Sequence, residues 1–232
     1  YKDTDPKGVT ITSNGEQTSN TITVETAKDQ TTDVTLDKVH IEVDTAKTKS
    51  GAIEIKGDGN TNLELNGNNT VLVENDWHDE HAAIEKADKY GTGTLTIKDD
   101  NDTKGSLTAE GGYGGAGIGS GLGESGAPCN GKVIIKDNAK IGLAQGGFGA
   151  AGIGGGYYYS NIYDDDDSTS GVGDVTIEGN TTVNAVGGLG AAGIGNGVNA
   201  IDFGGAAANQ ITIRSSAAGS PTVNATGGVS RS

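Results

Sequence analysis

One four-residue block occurs three times in this chain, and that repeat constrains the fold more than any other feature. The block is Ala-Gly-Ile-Gly, at residues 116–119, 151–154 and 192–195. Self-similarity along a chain is the signature of repeat architectures, in which each unit buries its apolar side chains against the next unit. The sequence therefore predicts a stack of similar units.

Two short apolar segments precede each glycine block and have the alternation that is typical of strands. The first segment of each unit is a triplet, and the triplets are Leu95–Ile97, Val133–Ile135, Val175–Ile177 and Ile211–Ile213. The second segments are Leu107–Ala109, Ile141–Ala144, Val183–Ala185 and Val223–Ala225. With the glycine block as the third segment, each unit carries three short strands.

The same order of segments continues towards the N-terminus in a more degenerate form. The corresponding segments are Leu63–Leu65, Val71–Val73, Ala83–Ile84, Val34–Leu36, Val39–Val43, Ala52–Ile53, Val9–Ile11 and Ile22–Val24. We count about seven units with three short strands each, which predicts an all-β parallel solenoid. We expect one domain over residues 1–232, with a partial N-terminal coil or cap at 1–30, degenerate coils at 31–94 and regular Gly-rich coils at 95–232. The last coil is truncated.

Stacking such units would align equivalent residues into columns. One predicted inner column consists of Ile53, Ile84, Ile118, Ile153 and Ile194. A second consists of Leu36, Leu65, Ile97, Ile135, Ile177 and Ile213. The segment from His81 to Tyr90 contains good helix formers, but the repeat places a strand at residues 83–85, and we expect the strand because short isolated helices are marginal.

Composition excludes several classes of partner and fold. The chain has 31 Asp and Glu against 16 Lys and Arg, a formal net charge of −15, so we expect no nucleic-acid partner because phosphate recognition needs a positive surface. The 41 glycines recur in blocks and there are only 3 prolines, which fits neither collagen nor a disordered linker. No apolar run reaches the roughly 18–20 residues that span a bilayer, so we expect no membrane insertion. Neither a signal peptide nor an initiator Met is present, so we expect a fragment of a longer protein.

Three segments match the dinucleotide-binding pattern G-x-G-x-x-G, at residues 112–117, 147–152 and 188–193. A dinucleotide site needs one such loop that opens a helix and an acidic residue about 20 positions later. Here the pattern occurs three times and leads into another predicted strand. We therefore interpret these glycines as tight turns between strands.

Two segments carry candidate binding residues. The segment 77–81 contains Trp77, the only Trp, with His78 and His81, and fits either a solvated loop or a metal or sugar contact. The longer segment has four tyrosines beside four consecutive aspartates, namely Tyr157, Tyr158, Tyr159, Tyr163, Asp164, Asp165, Asp166 and Asp167. Tyrosine rings stack on sugar CH groups, and carboxylates accept hydrogen bonds from hydroxyls or bind Ca²⁺. A solvated acidic loop is the alternative.

Candidate catalytic residues are scarce. Catalysis on strands would need paired acids or a nucleophile with its base. Glu54, Glu64 and Glu85 occupy predicted outward positions on neighbouring units, where glutamates are also common on plain surfaces. We therefore expect no enzyme, and a polysaccharide lyase or hydrolase is the weakest of the functional interpretations.

The repeated units resemble the right-handed parallel β-helix domains, pectin-lyase-like in fold, of clostridial and gut-commensal-type bacterial surface proteins. The pattern I-T-I, then T-V-x-A-x-G-G, then G-A-G-I-G-G-G carries this resemblance, clearly over residues 95–226 and more weakly over 30–90. Residues 33–43 and 51–55 are also similar to calcium-binding, carbohydrate-binding proteins of that group.

This resemblance implies a non-catalytic, extracellular module on a bacterial cell surface that binds a polysaccharide or a host or plant glycan. Assistance by Ca²⁺ is part of that expectation, because direct binding of an anionic glycan by a chain of charge −15 is repulsive unless a cation bridges the two. An adhesin or structural stalk is the rival interpretation.

Overall fold

The computed structural model describes residues 8–74, 76, 80–86, 91–122, 132–157, 174–198 and 210–229. These residues form an all-β structure with almost no helix. The strands are β1 (Val9–Thr12), β2 (Gln17–Thr18), β3 (Ile22–Glu25), β4 (Thr31–Asp37), β5 (His40–Val43), β6 (Ile53–Lys56), β7 (Asn60–Val73), β8 (Ile84–Glu85), β9 (Thr94–Asp99), β10 (Gly105–Glu110), β11 (Ile118–Gly119), β12 (Lys132–Asp137), β13 (Lys140–Gln145), β14 (Ile153–Gly154), β15 (Val175–Glu178), β16 (Thr182–Val186), β17 (Ile194–Gly195), β18 (Ile211–Arg214) and β19 (Thr222–Thr226). The helix α1 (Thr45–Thr48) is a single turn.

Every pair of these strands is parallel, and the pairs form three ladders. The first ladder has the order β1-β4-β7-β9-β12-β15-β18. The second has the order β2-β5-β7-β10-β13-β16-β19. The third has the order β3-β6-β8-β11-β14-β17. Strand β7 belongs to both of the first two ladders, since its first half pairs with β4 and β9 and its second half with β5 and β10.

The third ladder contains the inner isoleucine column that the repeat predicts. Each isoleucine pairs with the next, from Ile53 through Ile84, Ile118 and Ile153 to Ile194. Ile22 extends the column by one further strand. Residues 84–85 form a strand, as the repeat predicts, and not the helix that the local composition favours.

The second predicted column is wrong at one step. Leu36 pairs with Leu65 as expected, but Ile97 pairs with Leu63 and not with Leu65. Both leucines are buried, and a shift of two residues keeps the same face of a strand towards the core. Hydrophobic alternation alone therefore cannot distinguish the two registers.

The three G-x-G-x-x-G segments are turns that lead into β11, β14 and β17. Backbones of consecutive units approach closely at these turns. A Cβ atom on Gly147 would lie 1.8 Å from the carbonyl oxygen of Gly112, and one on Gly188 would lie 1.6 Å from that of Gly147. Only glycine allows this approach.

We predict that Ile153→Asp destabilises the fold by about 4 kcal/mol or more, because it places an unpaired charge in the middle of the isoleucine column. Gln145→Asp, at an exposed strand position, is the matched control and should cost about 1 kcal/mol or less. Urea unfolding of both variants measures the difference. Similar small costs would contradict the observed register.

Candidate functional site

Most of the binding residues suggested by the sequence lie outside the described residues. These are Trp77, His78, Tyr158, Tyr159, Tyr163, Asp164, Asp165, Asp166 and Asp167. Tyr157 is described and is half-buried.

Tyr157 belongs to a cluster of three aromatic rings. The rings of Tyr113 and Phe148 are parallel within 1°, with centroids 4.9 Å apart. The Tyr157 ring meets Phe148 edge-on, at 5.7 Å and 83°. Phe148 is 37% exposed, so the cluster faces solvent in part.

Tyr113 and Phe148 stack because they occupy the same position in consecutive units, the middle of each G-x-G turn. The sequence interpretation missed both residues. The signal was present, since the variable position of each turn carries a large apolar side chain, and Leu189 occupies it in the third turn. Parallel ladders align equivalent residues about 4.8 Å apart, which is close to the stacking distance of aromatic rings.

Leu122, Tyr157 and Val198 form a second column beside the first. Their backbone N–H groups donate to the carbonyl oxygens of the preceding unit, at 2.6 Å (Glu80), 2.8 Å (Gly114) and 2.7 Å (Gly149) respectively. All three side chains are half-buried. We call the two columns together the apolar strip, which consists of Tyr113, Phe148, Leu189, Leu122, Tyr157 and Val198.

The glutamates that were expected on the outer surface are buried instead. Glu54 and Glu85 are 5% and 1% exposed and are register neighbours on β6 and β8. Lys56 Nζ lies 2.7 Å from Glu54 Oε2, and His81 Nδ1 lies 2.7 Å from Glu85 Oε2. Each carboxyl group of this pair thus has its own polar partner, which offsets the cost of burying two acidic side chains next to each other.

Glu64 lies in the first ladder, at 8% exposure, beside Lys98 and Asp100. Its Oε1 accepts hydrogen bonds from the backbone N–H groups of Asp100 and Asn101, at 3.0 and 3.3 Å. Its Oε2 accepts no hydrogen bond among the described residues, and Lys98 Nζ lies 3.3 Å away. Lys98 also donates to both carboxylate oxygens of Asp100.

The pKa values of this cluster follow from that arrangement. Burial, reinforced by the neighbouring Asp100, raises the pKa of Glu64. The hydrogen bond from Lys98 lowers the pKa of Asp100. Burial opposes the charge on Lys98, but its contacts with Asp100 and Glu64 outweigh burial and raise its pKa. Glu64, Lys98 and Asp100 therefore form an ion-paired cluster in which burial disfavours the charged form of Glu64.

Within the described ranges, no three His, Cys, Asp or Glu side chains come together in a group suited to a metal ion. The aspartates proposed as Ca²⁺ ligands lie outside those ranges. Among the same residues, no helix is long and apolar enough to cross a membrane.

Comparisons of the chain with protein-family models, with curated proteins and with solved structures find no match.

We predict that Glu64→Gln gains stability relative to the wild type as pH rises from about 4 to about 7. The raised pKa means that the folded chain holds the Glu64 proton more tightly than the unfolded chain does. The protonated carboxyl therefore adds most to the free energy of unfolding at low pH. The wild type loses this contribution as pH rises through the raised pKa, whereas the glutamine variant does not titrate and loses nothing.

Melting temperatures across this pH range, at constant ionic strength, test the prediction. Leu189→Ala changes no titratable group and should differ from the wild type by a constant amount. A flat or falling difference for Glu64→Gln would show that burial does not control this carboxyl.

Proposed function

We propose that this chain is a non-catalytic, extracellular carbohydrate-binding module of a bacterial surface protein, built as a right-handed parallel β-helix of about seven coils. The three rings of the apolar strip, Tyr113, Phe148 and Tyr157, form the proposed binding surface. The observation that carries the proposal is the meeting of Tyr113, Phe148 and Tyr157 on a partly exposed face.

The strand order supports the solenoid part of this proposal. Each regular unit contributes one strand to each ladder in turn, as β9, β10 and β11 do, followed by β12, β13 and β14. A chain that visits three parallel ladders cyclically winds as a coil. Crossover connections between parallel strands are almost always right-handed, which supports the proposed hand.

Aromatic rings on a rigid scaffold suit sugars for a physical reason. A pyranose ring has apolar CH faces that pack against aromatic carbon, and its hydroxyls remain hydrogen-bonded at the edges. Tyr113 and Phe148 come from consecutive units and stack on each other, and the backbone N–H of Tyr157 donates to Gly114 of the preceding unit, so little side-chain freedom is lost when a ligand binds.

The burial and pairing of the three candidate catalytic glutamates favour binding over catalysis. Glu54, Glu64 and Glu85 are buried, and each has a basic side chain or a histidine within 3.3 Å. A general acid or base must reach the proton it transfers. Acids that are paired with internal polar side chains are suited to holding the fold together.

The overall charge restricts the class of glycan. A charge of −15 disfavours uronates unless a cation bridges ligand and protein. The proposal therefore favours a neutral glycan, or an anionic glycan held through Ca²⁺ at Asp164, Asp165, Asp166 and Asp167.

A structural stalk or adhesin is the second candidate function. The continuous ladders favour it, because units that are stacked through parallel strand pairing form an extended array. A stalk needs no exposed aromatic cluster, so the effect of removing one ring separates the two candidates.

We predict that Phe148→Ala weakens binding to a neutral polysaccharide about tenfold, through the loss of one aromatic contact. Leu189→Ala, at the equivalent position of the next unit, should change it less than about twofold. Affinity electrophoresis in gels containing β-glucan, galactan, xylan or mannan measures both. No retardation of the wild type in any gel, including polygalacturonate with Ca²⁺, would reject the glycan proposal in favour of the stalk.

We predict that millimolar Ca²⁺ raises the melting temperature, because a cation bound only by the folded chain stabilises it by mass action. Equal concentrations of Mg²⁺ and an ionic-strength-matched NaCl sample are the controls. If either control produces the same shift, the effect is general screening of the negative charge, and the calcium part of the proposal is wrong.

A further inference from the structure

The Tyr157 ring rests on a residue that has no side chain. Gly149 has a φ of +70°, and a Cβ atom placed on it would lie 2.5 Å from Cδ2 and 3.0 Å from Cγ of Tyr157. Real Cβ contacts are not this short, so a side chain at residue 149 and the observed ring cannot share the space. The Tyr157 ring thus packs directly against the backbone of Gly149.

Two further contacts restrain Tyr157. Its backbone N–H donates to the carbonyl oxygen of Gly114 at 2.8 Å, which ties the start of the residue to the preceding unit. Phe148 meets the ring edge-on at 5.7 Å. The backbone hydrogen bond to Gly114, the packing against Gly149 and the contact with Phe148 together restrict the position of the ring.

We propose that Gly149 is a positioning residue that holds Tyr157 as the platform for one pyranose ring of a neutral glycan. This inference rests on the proposed function and adds to it the residue that places the ring. The same turn occurs in the neighbouring units, but only in this unit does it support an aromatic side chain.

Those neighbouring units provide an internal control. Gly190 has a φ of +77°, close to that of Gly149, and a Cβ atom on it would lie 3.0 Å from Val198 Cγ2. Alanine therefore meets nearly the same backbone strain at both positions. The two substitutions differ mainly in which side chain they displace, a tyrosine in one unit and a valine in the other.

The binding experiment compares Gly149→Ala with Gly190→Ala in gels of the neutral polysaccharide that retards the wild type. We expect affinity to fall about tenfold for Gly149→Ala and less than about twofold for Gly190→Ala. Equal losses in the two variants would overturn the inference, because strain common to both turns would then explain the effect. The proposed function would stand in that case, since the wild type would still bind.

A second experiment needs no ligand. If alanine at residue 149 acts by colliding with Tyr157, its effect on the melting temperature must be smaller when Tyr157 is already alanine. The cycle comprises the wild type, Gly149→Ala, Tyr157→Ala and the double variant. A Gly149→Ala chain that folds only together with Tyr157→Ala supports the inference. Additive shifts, or failure to fold in both backgrounds, would overturn it even if no polysaccharide binds.

Discussion

Parallel backbone pairing between equivalent residues is the interaction on which the rest of this structure depends. Ile153 pairs with Ile118 on one side and with Ile194 on the other, so one buried side chain type recurs through the third ladder. The glycine turns allow this repetition, because the backbones at Gly112, Gly147 and Gly188 approach too closely for any side chain between them. Each unit is stable mainly through its neighbours.

The same alignment brings the side chains of equivalent residues in consecutive units into contact. A large apolar residue in the turn of two consecutive units produces the stack of Tyr113 on Phe148. Alignment has a cost where the repeated residue is charged, as for Glu54 beside Glu85. There Lys56 contacts Glu54 and His81 contacts Glu85, and these contacts offset the cost of burying the two acids.

Sequence periodicity predicted most of the strands, their order and the isoleucine column, because each follows from a pattern repeated along the chain. It did not predict β2, and it divided β7 into two segments. It failed at the step from Leu36 and Leu65 to Ile97, where the observed partner of Ile97 is Leu63. An alternation of period two identifies the inward face but leaves the register free by two residues. The segment from residue 81 also shows that ladder partners outweigh helix propensity, since Ile84 pairs with Ile53 and Ile118.

The sequence by itself determined the all-β class, the repeating order of strands and the acidic character of the chain, since these depend on local alternation and on composition. Only the tertiary structure decided that Glu54, Glu64 and Glu85 are buried, and that Tyr157 lies against Phe148 and Gly149. These features depend on which residues become neighbours once the strands have paired and the turns have closed. That is set by the register of the ladders and by the backbone contacts at the turns, which no local pattern specifies.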